Sequence, residues 1–175
     1  MTKKVLAILA SSVVMMFIMG YGISFFLAGP SNDEIDSAQA EIEELFLGKK
    51  SLGHSVYSEE LFGTMAKDKL LSEELIQDTI HWMSHQKIKA DQKWGHDILI
   101  TQERVGILIE VVGKNNFSHS NTYLDILNRW YVGDFSQADK DHNAIWKIQN
   151  GNIGKARGLL NAVEQLNYLE KNSVR

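Results

Sequence analysis

The chain of 175 residues has no cysteine, one proline and no excess of base. Each absence excludes something. Without cysteine there is no disulfide framework, no lipid-attachment residue and no thiolate for a metal. The single proline, Pro30, leaves everything after it free to be helical. No basic stripe appears, and sixteen of the 18 basic residues against all 22 acidic ones fall after residue 4, a balance of −6. Nucleic acid is therefore excluded as a partner, and an anionic bilayer or wall is a poor surface for such a domain. No stretch alternates apolar and polar residues as a half-buried strand does.

Catalytic and nucleotide motifs are equally scarce. There is no Gly-x-Ser-x-Gly and no serine placed beside a histidine. Gly151-Asn-Ile-Gly154-Lys155 lacks the frame of a phosphate loop. Asp139-Lys-Asp141-His-Asn143 begins like a calcium loop, but Ala144 and Asn150 stand where glycine and the bidentate glutamate belong. No cofactor is implied.

What the chain does have is a run of 28 uncharged residues, Val5 to Asn32, behind Lys3 and Lys4 and ahead of Asp33, Glu34 and Asp36. Its apolar part, Val5 to Ala28, is 24 residues long. A membrane-crossing helix needs about 20, whereas the apolar region of a cleaved signal is about 7–15. Phe25, Phe26 and Leu27 before Ala28 spoil a small-residue cleavage site. The run is expected to be an uncleaved anchor, with the lysine-flanked end cytoplasmic and the rest outside. Residues 1–4 are then a cytoplasmic tip, 5–28 the span, 29–56 a juxtamembrane helix and loop, and 57–175 one extracytoplasmic domain.

The rest reads as all-α, a compact multi-helix bundle behind the transmembrane helix. Ser31-Asn-Asp-Glu34 is a capping box, and its helix stops at Gly48. Tyr57-Ser58 with Phe62, Leu71-Ser72 with Ile76, and Ile100-Thr101 with Val105 are hydrophobic staples at three further starts. From Ser72 the positions Ile76, Ile80, Met83, Lys87, Ala90 and Trp94 share about 80° of arc, which predicts one long helix ending at Gly95. VGILIEVV, residues 105–112, predicts a central buried helix. Ser120 or Asn121 opens the next, Asp134 with Gln137 opens another ending at Gly151, and a last runs from about Ile153 to Lys171. Trp82, Trp94, Trp130 and Trp146, one per helix, are expected to be packing anchors.

His81-Trp-Met-Ser-His85 carries the sharpest chemistry. Two imidazoles at i and i+4 can reach one metal, but Trp82 replaces the glutamate of metalloprotease helices. A third ligand has to come from His96, His119, His142 or a carboxylate. Both histidines lie at roughly 140–180° from Ile76, so they are expected either to be exposed or to meet a second packing partner. Lys87 falls in the apolar stripe and is expected to pair with Glu103, Glu110 or Asp125.

His85-Gln86-Lys87, Lys93-Trp94-Gly95, Gly133-Asp-Phe135, His142-Asn143-x-Ile-Trp146 and Gly154-Lys-Ala156-x-Gly-Leu-Leu160 form a pattern across residues 70–160. In it the chain resembles an uncharacterised Bacillus-type family of membrane-anchored proteins carrying a domain of unknown function. The resemblance implies a Gram-positive cell surface and brings no activity. The polar cluster His85, Gln86, Lys87, Lys93, Trp94, His142, Asn143 and Trp146 is taken as an interaction or structural surface. The leading expectation is a regulatory or sensory accessory that contacts a protein of the cell envelope. The alternatives are a metal-binding protein or hydrolase built on His81 and His85, and an immunity-type inhibitor.

Overall fold

The computed structural model describes residues 29–52, 56–67 and 71–172. The expected membrane span, residues 5–28, lies outside them. Among the described residues no helix is long and apolar enough to cross a membrane. Residues from Ile35 onward form one compact unit.

Seven helices are described: α1 (Asn32–Phe46), α2 (Val56–Lys67), α3 (Glu73–Ser84), α4 (Gln102–Lys114), α5 (Ser120–Tyr131), α6 (Ala138–Ile148) and α7 (Ala162–Asn172). A 3-10 turn, His85–Lys87, leads from α3 into β1 (Ile88–Lys89). β1 pairs antiparallel with β2 (Gly158–Leu159), Ile88 opposite Leu159. The fold is thus mostly helical, with a two-stranded clip that the sequence pattern did not reveal.

The helix starts follow local chemistry. Ser31 and Glu34 cap α1 reciprocally: Ser31 N–H donates to Glu34 Oε2 (2.8 Å) and Glu34 N–H to Ser31 Oγ (3.3 Å). Ser72 Oγ accepts from Leu75 N–H, and Thr101 Oγ1 from Arg104 N–H, both at 3.2 Å. α1 ends as expected at Gly48 (φ 70°), where Gly48 N–H reaches Leu45 O and Lys49 N–H reaches Glu44 O. α6 ends the same way, but Asn150 rather than Gly151 takes the left-handed position (φ 55°).

The core gathers Ile76, Ile80 and Met83 of α3, Val105, Leu108 and Val111 of α4, Tyr123, Leu127 and Trp130 of α5, and Ile145 of α6. α4 packs on α5, α3 on α6, and α2 on α4. Each fully buried aliphatic contributes about 1.5–3 kcal/mol relative to exposure. Two polar ties fix the helices to one another. Arg104 donates to Glu59 Oε1 (2.8 Å) and to Leu99 O (3.0 Å). Asp141 accepts from Arg129 and from the buried Trp130 indole N–H (3.0 Å).

Several expectations are corrected. The helix from Ser72 stops at Ser84 and does not run to Trp94. Ser84 Oγ donates to His81 O, and Gln86 Nε2 donates to both Met83 O and Ile98 O at 2.9 Å. Ser84 and Gln86 thus occupy the His81 and Met83 carbonyls that another helical turn would have used, and Gln86 ties the chain to the loop at Ile98. The central buried segment is the end of α3, because all ten residues from Thr79 to Ile88 are buried. α4 instead has two faces, with Glu110 exposed. Asp134 does not open α6; its Oδ1 caps a turn by accepting from Ser136 N–H (3.0 Å), and the helix begins at Ala138. The last helix begins at Ala162, not Ile153, behind an Asn161–Glu164 capping box (2.8 and 2.9 Å). Trp94 lies on a loop and is 40% exposed, so it is no core anchor.

Candidate functional site: a buried histidine triad

α3 packs against α6, and their contact brings three histidines together. His81 lies in the last turn of α3, His85 opens the 3-10 turn, and His142 sits mid-α6 on the face shared with Ala138 and Ile145. The spacing of four places His85 one turn beyond His81. Ring centroids are 4.4 Å apart for His81–His142, 5.1 Å for His81–His85 and 5.8 Å for His85–His142. Each offers a ring nitrogen within 4.8 Å of the other two. Relative exposures are 1%, 2% and 0%. Of the two outcomes expected for His81 and His85, exposure fails and a second packing partner holds: the opposite face of α3 is covered by α6 and by the loop carrying Trp94.

Neighbouring amides fix two of the ring tautomers. Gln149 Nε2 donates to Asp78 Oδ1 (2.7 Å), so Oε1 is the atom facing His81 Nδ1 (2.6 Å). An oxygen can only accept, so Nδ1 carries the proton and Nε2 the lone pair. Asn143 is held the same way. Its Oδ1 accepts from Ala156 N–H (2.9 Å) and its Nδ2 donates to Ala156 O (3.0 Å). That Oδ1 faces His142 Nδ1 at 3.3 Å, which again leaves the lone pair on Nε2. His142 Nε2 and His85 Nε2 are buried without a hydrogen-bond partner among the described residues. A buried ring nitrogen without a partner is a cost, and where it carries the lone pair, as at His142, a bound cation or a water would remove it.

Burial keeps the triad neutral. The His85 imidazole is pushed down to about 2 by burial and by His81, His142 and Lys93 beside it. That of His142 falls to about 4 through burial and through His81 and Lys93, with Asn143 opposing. His81 is lowered by burial and partly restored by Gln149. Lys93 donates to His85 O (2.6 Å) and lies 4.0 Å over the Tyr168 ring; burial holds its amine at about 8. The Trp94 ring centroid is 4.8 Å from that of His81.

Neutral imidazoles converging on one point suit a borderline transition metal such as zinc. Tetrahedral zinc at about 2.0–2.1 Å from each nitrogen puts the nitrogens about 3.3 Å apart, so the set must draw in from its present 4.8 Å to close on an ion. A cleft of about 570 Å³ lies beside the triad, lined by Asp78, Gln149, Trp94 and Trp146 among others.

The remaining predicted residues divide. Gln86 is a loop staple, also accepting from Ile100 N–H (3.3 Å). Lys87 is buried as expected, but its amine donates to Gln165 Oε1 (2.8 Å) and lies 4.3 Å over Phe135. The expected pairing with Glu103, Glu110 or Asp125 does not form, because α7 rather than α4 or α5 covers it. Asn143 orients His142, and Trp146 lines the cleft with its indole N–H on Ile153 O (2.7 Å). His96 meets the Trp82 ring edge-on, and His119 the Tyr123 ring, so neither joins the triad. Asp139, Asp141 and Asn143 sit on helix α6, not in a calcium loop. Gln149 and Asp78, which holds it, are the site residues that sequence reasoning missed; no motif announces them. His142 carried a legible signal, since it shares the apolar stripe of α6 with Ala138 and Ile145.

Residues 80–170, just over half of the chain, match the model of a family of unknown function, DUF6241. The chain belongs to that family. The DUF6241 match takes in all three histidines, Lys93, Trp94 and Gln149. No curated protein and no solved structure matches the chain.

Proposed function

We propose that this DUF6241 domain binds a transition-metal dication of zinc type through the Nε2 atoms of His81, His85 and His142. The observation that carries the reading is the set of three buried, converging imidazoles, two with their tautomer fixed by an outer amide and two with Nε2 unpartnered. Outer partners that hold ligating histidines in one tautomer are the usual support of such a site. Gln149 and Asn143 have that role here, and Asp78 fixes Gln149 in turn. Three protein ligands and an open fourth position are the donor count of hydrolytic zinc centres. The apolar run at residues 5–28 supports a location on a membrane with the domain outside.

The test is calorimetric titration of zinc into the full chain, purified in mild detergent after chelator treatment. Saturable one-to-one binding is expected, abolished in His142→Ala with the far-ultraviolet circular dichroism unchanged. Absence of zinc, cobalt and copper binding in a folded protein would sink the reading.

Contact with an envelope protein remains a second reading. It is supported by Trp94 (40% exposed) and Ile153 (51% exposed) on the rim of the cleft. Chemical crosslinking in cells, lost on Trp94→Ser with Ile153→Ser, would favour it.

A further inference from the structure

We infer that the metal in this site takes its fourth ligand from solution as a small anion, and that Lys93 holds that anion in place. The inference rests on the metal-binding reading above. Three neutral imidazoles leave the full double charge of the ion in a buried place. An uncompensated buried charge costs several kcal/mol even after relaxation. Structural zinc sites cancel it with thiolates, but the chain has no cysteine.

Carboxylates do not supply the missing charge, because those around the triad are committed to other partners. Asp78 is separated from His81 by Gln149, whose Nε2 it accepts from. Asp97 accepts from the Tyr168 hydroxyl, and its charge favours the Lys93 ammonium rather than the triad. Asp141 is held by Arg129 and Trp130. What the loop sets against His85 is another cation, which Asp97 only partly offsets. Lys93 sits against His85 with its amine 2.6 Å from the His85 carbonyl, and its charge is felt by both His85 and His142.

A lysine beside a dication is repulsive unless an anion lies between them. Metal and ammonium together form a two-point receptor for one negatively charged ligand. Lys93 is also well placed for exchange. It lies on the loop between β1 and α4, only partly buried, next to the exposed Trp94. The ligand is therefore hydroxide, formed from a metal-bound water whose pKa falls to about 7, or a small oxyanion such as a carboxylate.

The probe is the full chain loaded with cobalt, whose visible bands report its coordination. Acetate is titrated at fixed pH, and pH is varied from 6 to 9 without added anion. A saturable band change with acetate marks an oxyanion ligand; a change with pH alone marks hydroxide. Either supports the inference. In Lys93→Met, acetate affinity or the pH midpoint should weaken by about tenfold or more, the worth of one charge-assisted hydrogen bond. Cobalt affinity should hold or rise, and Lys93→Arg should retain most anion binding. Bands that respond to neither acetate nor pH, or a Lys93→Met protein that behaves as wild type, overturn the anion inference and leave metal binding intact. A folded chain that takes up no cobalt overturns both.

Discussion

Acid should unfold the metal-free domain far above the pH at which its carboxylates titrate. In the fold, His85 binds its proton at about 2 and His142 at about 4, against 6.5 for an unperturbed histidine. Both folded values lie below the unfolded one, so the unfolded chain binds more protons as pH falls. Stability is fully present above 6.5 and is lost on the way down. Integrated from pH 7 to pH 5, each histidine costs about 2 kcal/mol, together about 4 kcal/mol. His81 is lowered too and adds in the same direction. Asp78 and Asp141 are raised by burial and oppose the trend as they protonate in the fold, so the comparison stops at pH 5. Against a total of about 5–15 kcal/mol for a domain, the loss is large. The assay is urea unfolding at pH 7, 6 and 5 with chelator present, followed by tryptophan fluorescence and circular dichroism. With a urea slope of about 1.5–2 kcal/mol per molar, the midpoint should fall by about 2–3 M. His142→Leu removes one of the two contributions and should roughly halve the fall. A midpoint that stays level or rises between pH 7 and 5 would refute the claim that the triad is buried and neutral.

Gln149→Leu frees the His81 tautomer and should weaken zinc binding by about 10–100-fold while the fold persists, read by competition with a chromophoric chelator. Gly95 has φ 92°, and a Cβ there would collide with the Trp82 indole. Gly95→Ala should therefore cost roughly 2 kcal/mol or more in urea unfolding; a change under half that would show that the loop is not fixed as described. Lys87→Met is expected to be neutral or to raise the urea midpoint. The lysine is only 6% exposed, its amine is lowered to about 8, and Gln165 is the partner it meets rather than an acid. A loss of 3 kcal/mol would show that its bond to Gln165 outweighs its desolvation.

The legible parts of the fold were those set within a few residues of each other. Ser31 with Glu34, Ser72 ahead of Leu75, Thr101 ahead of Arg104, and the stop at Gly48 all depend on neighbours in the chain. The Asn161–Glu164 box is equally local, and it sets the last helix start at Ala162 rather than about Ile153. The end of α3 was not readable. Its apolar period continues through Lys87 to Trp94, but Gln86 bonds a loop twelve residues away and Ile88 pairs with Leu159. Nothing local encodes those partners.

Sequence by itself determined the caps at Ser31, Ser72 and Thr101, the pairing of His81 with His85 on adjacent turns, and the long apolar run ahead of the domain. Tertiary structure decided what the histidines are. A face angle of 140–180° from Ile76 means solvent only when one side of a helix is packed; here α6 covers the other side. That contact buries both rings, adds His142 and sets Gln149 against His81. Spacing along a helix fixes which side chains can meet, while burial, and with it charge and tautomer, depends on what else in the fold comes to rest there.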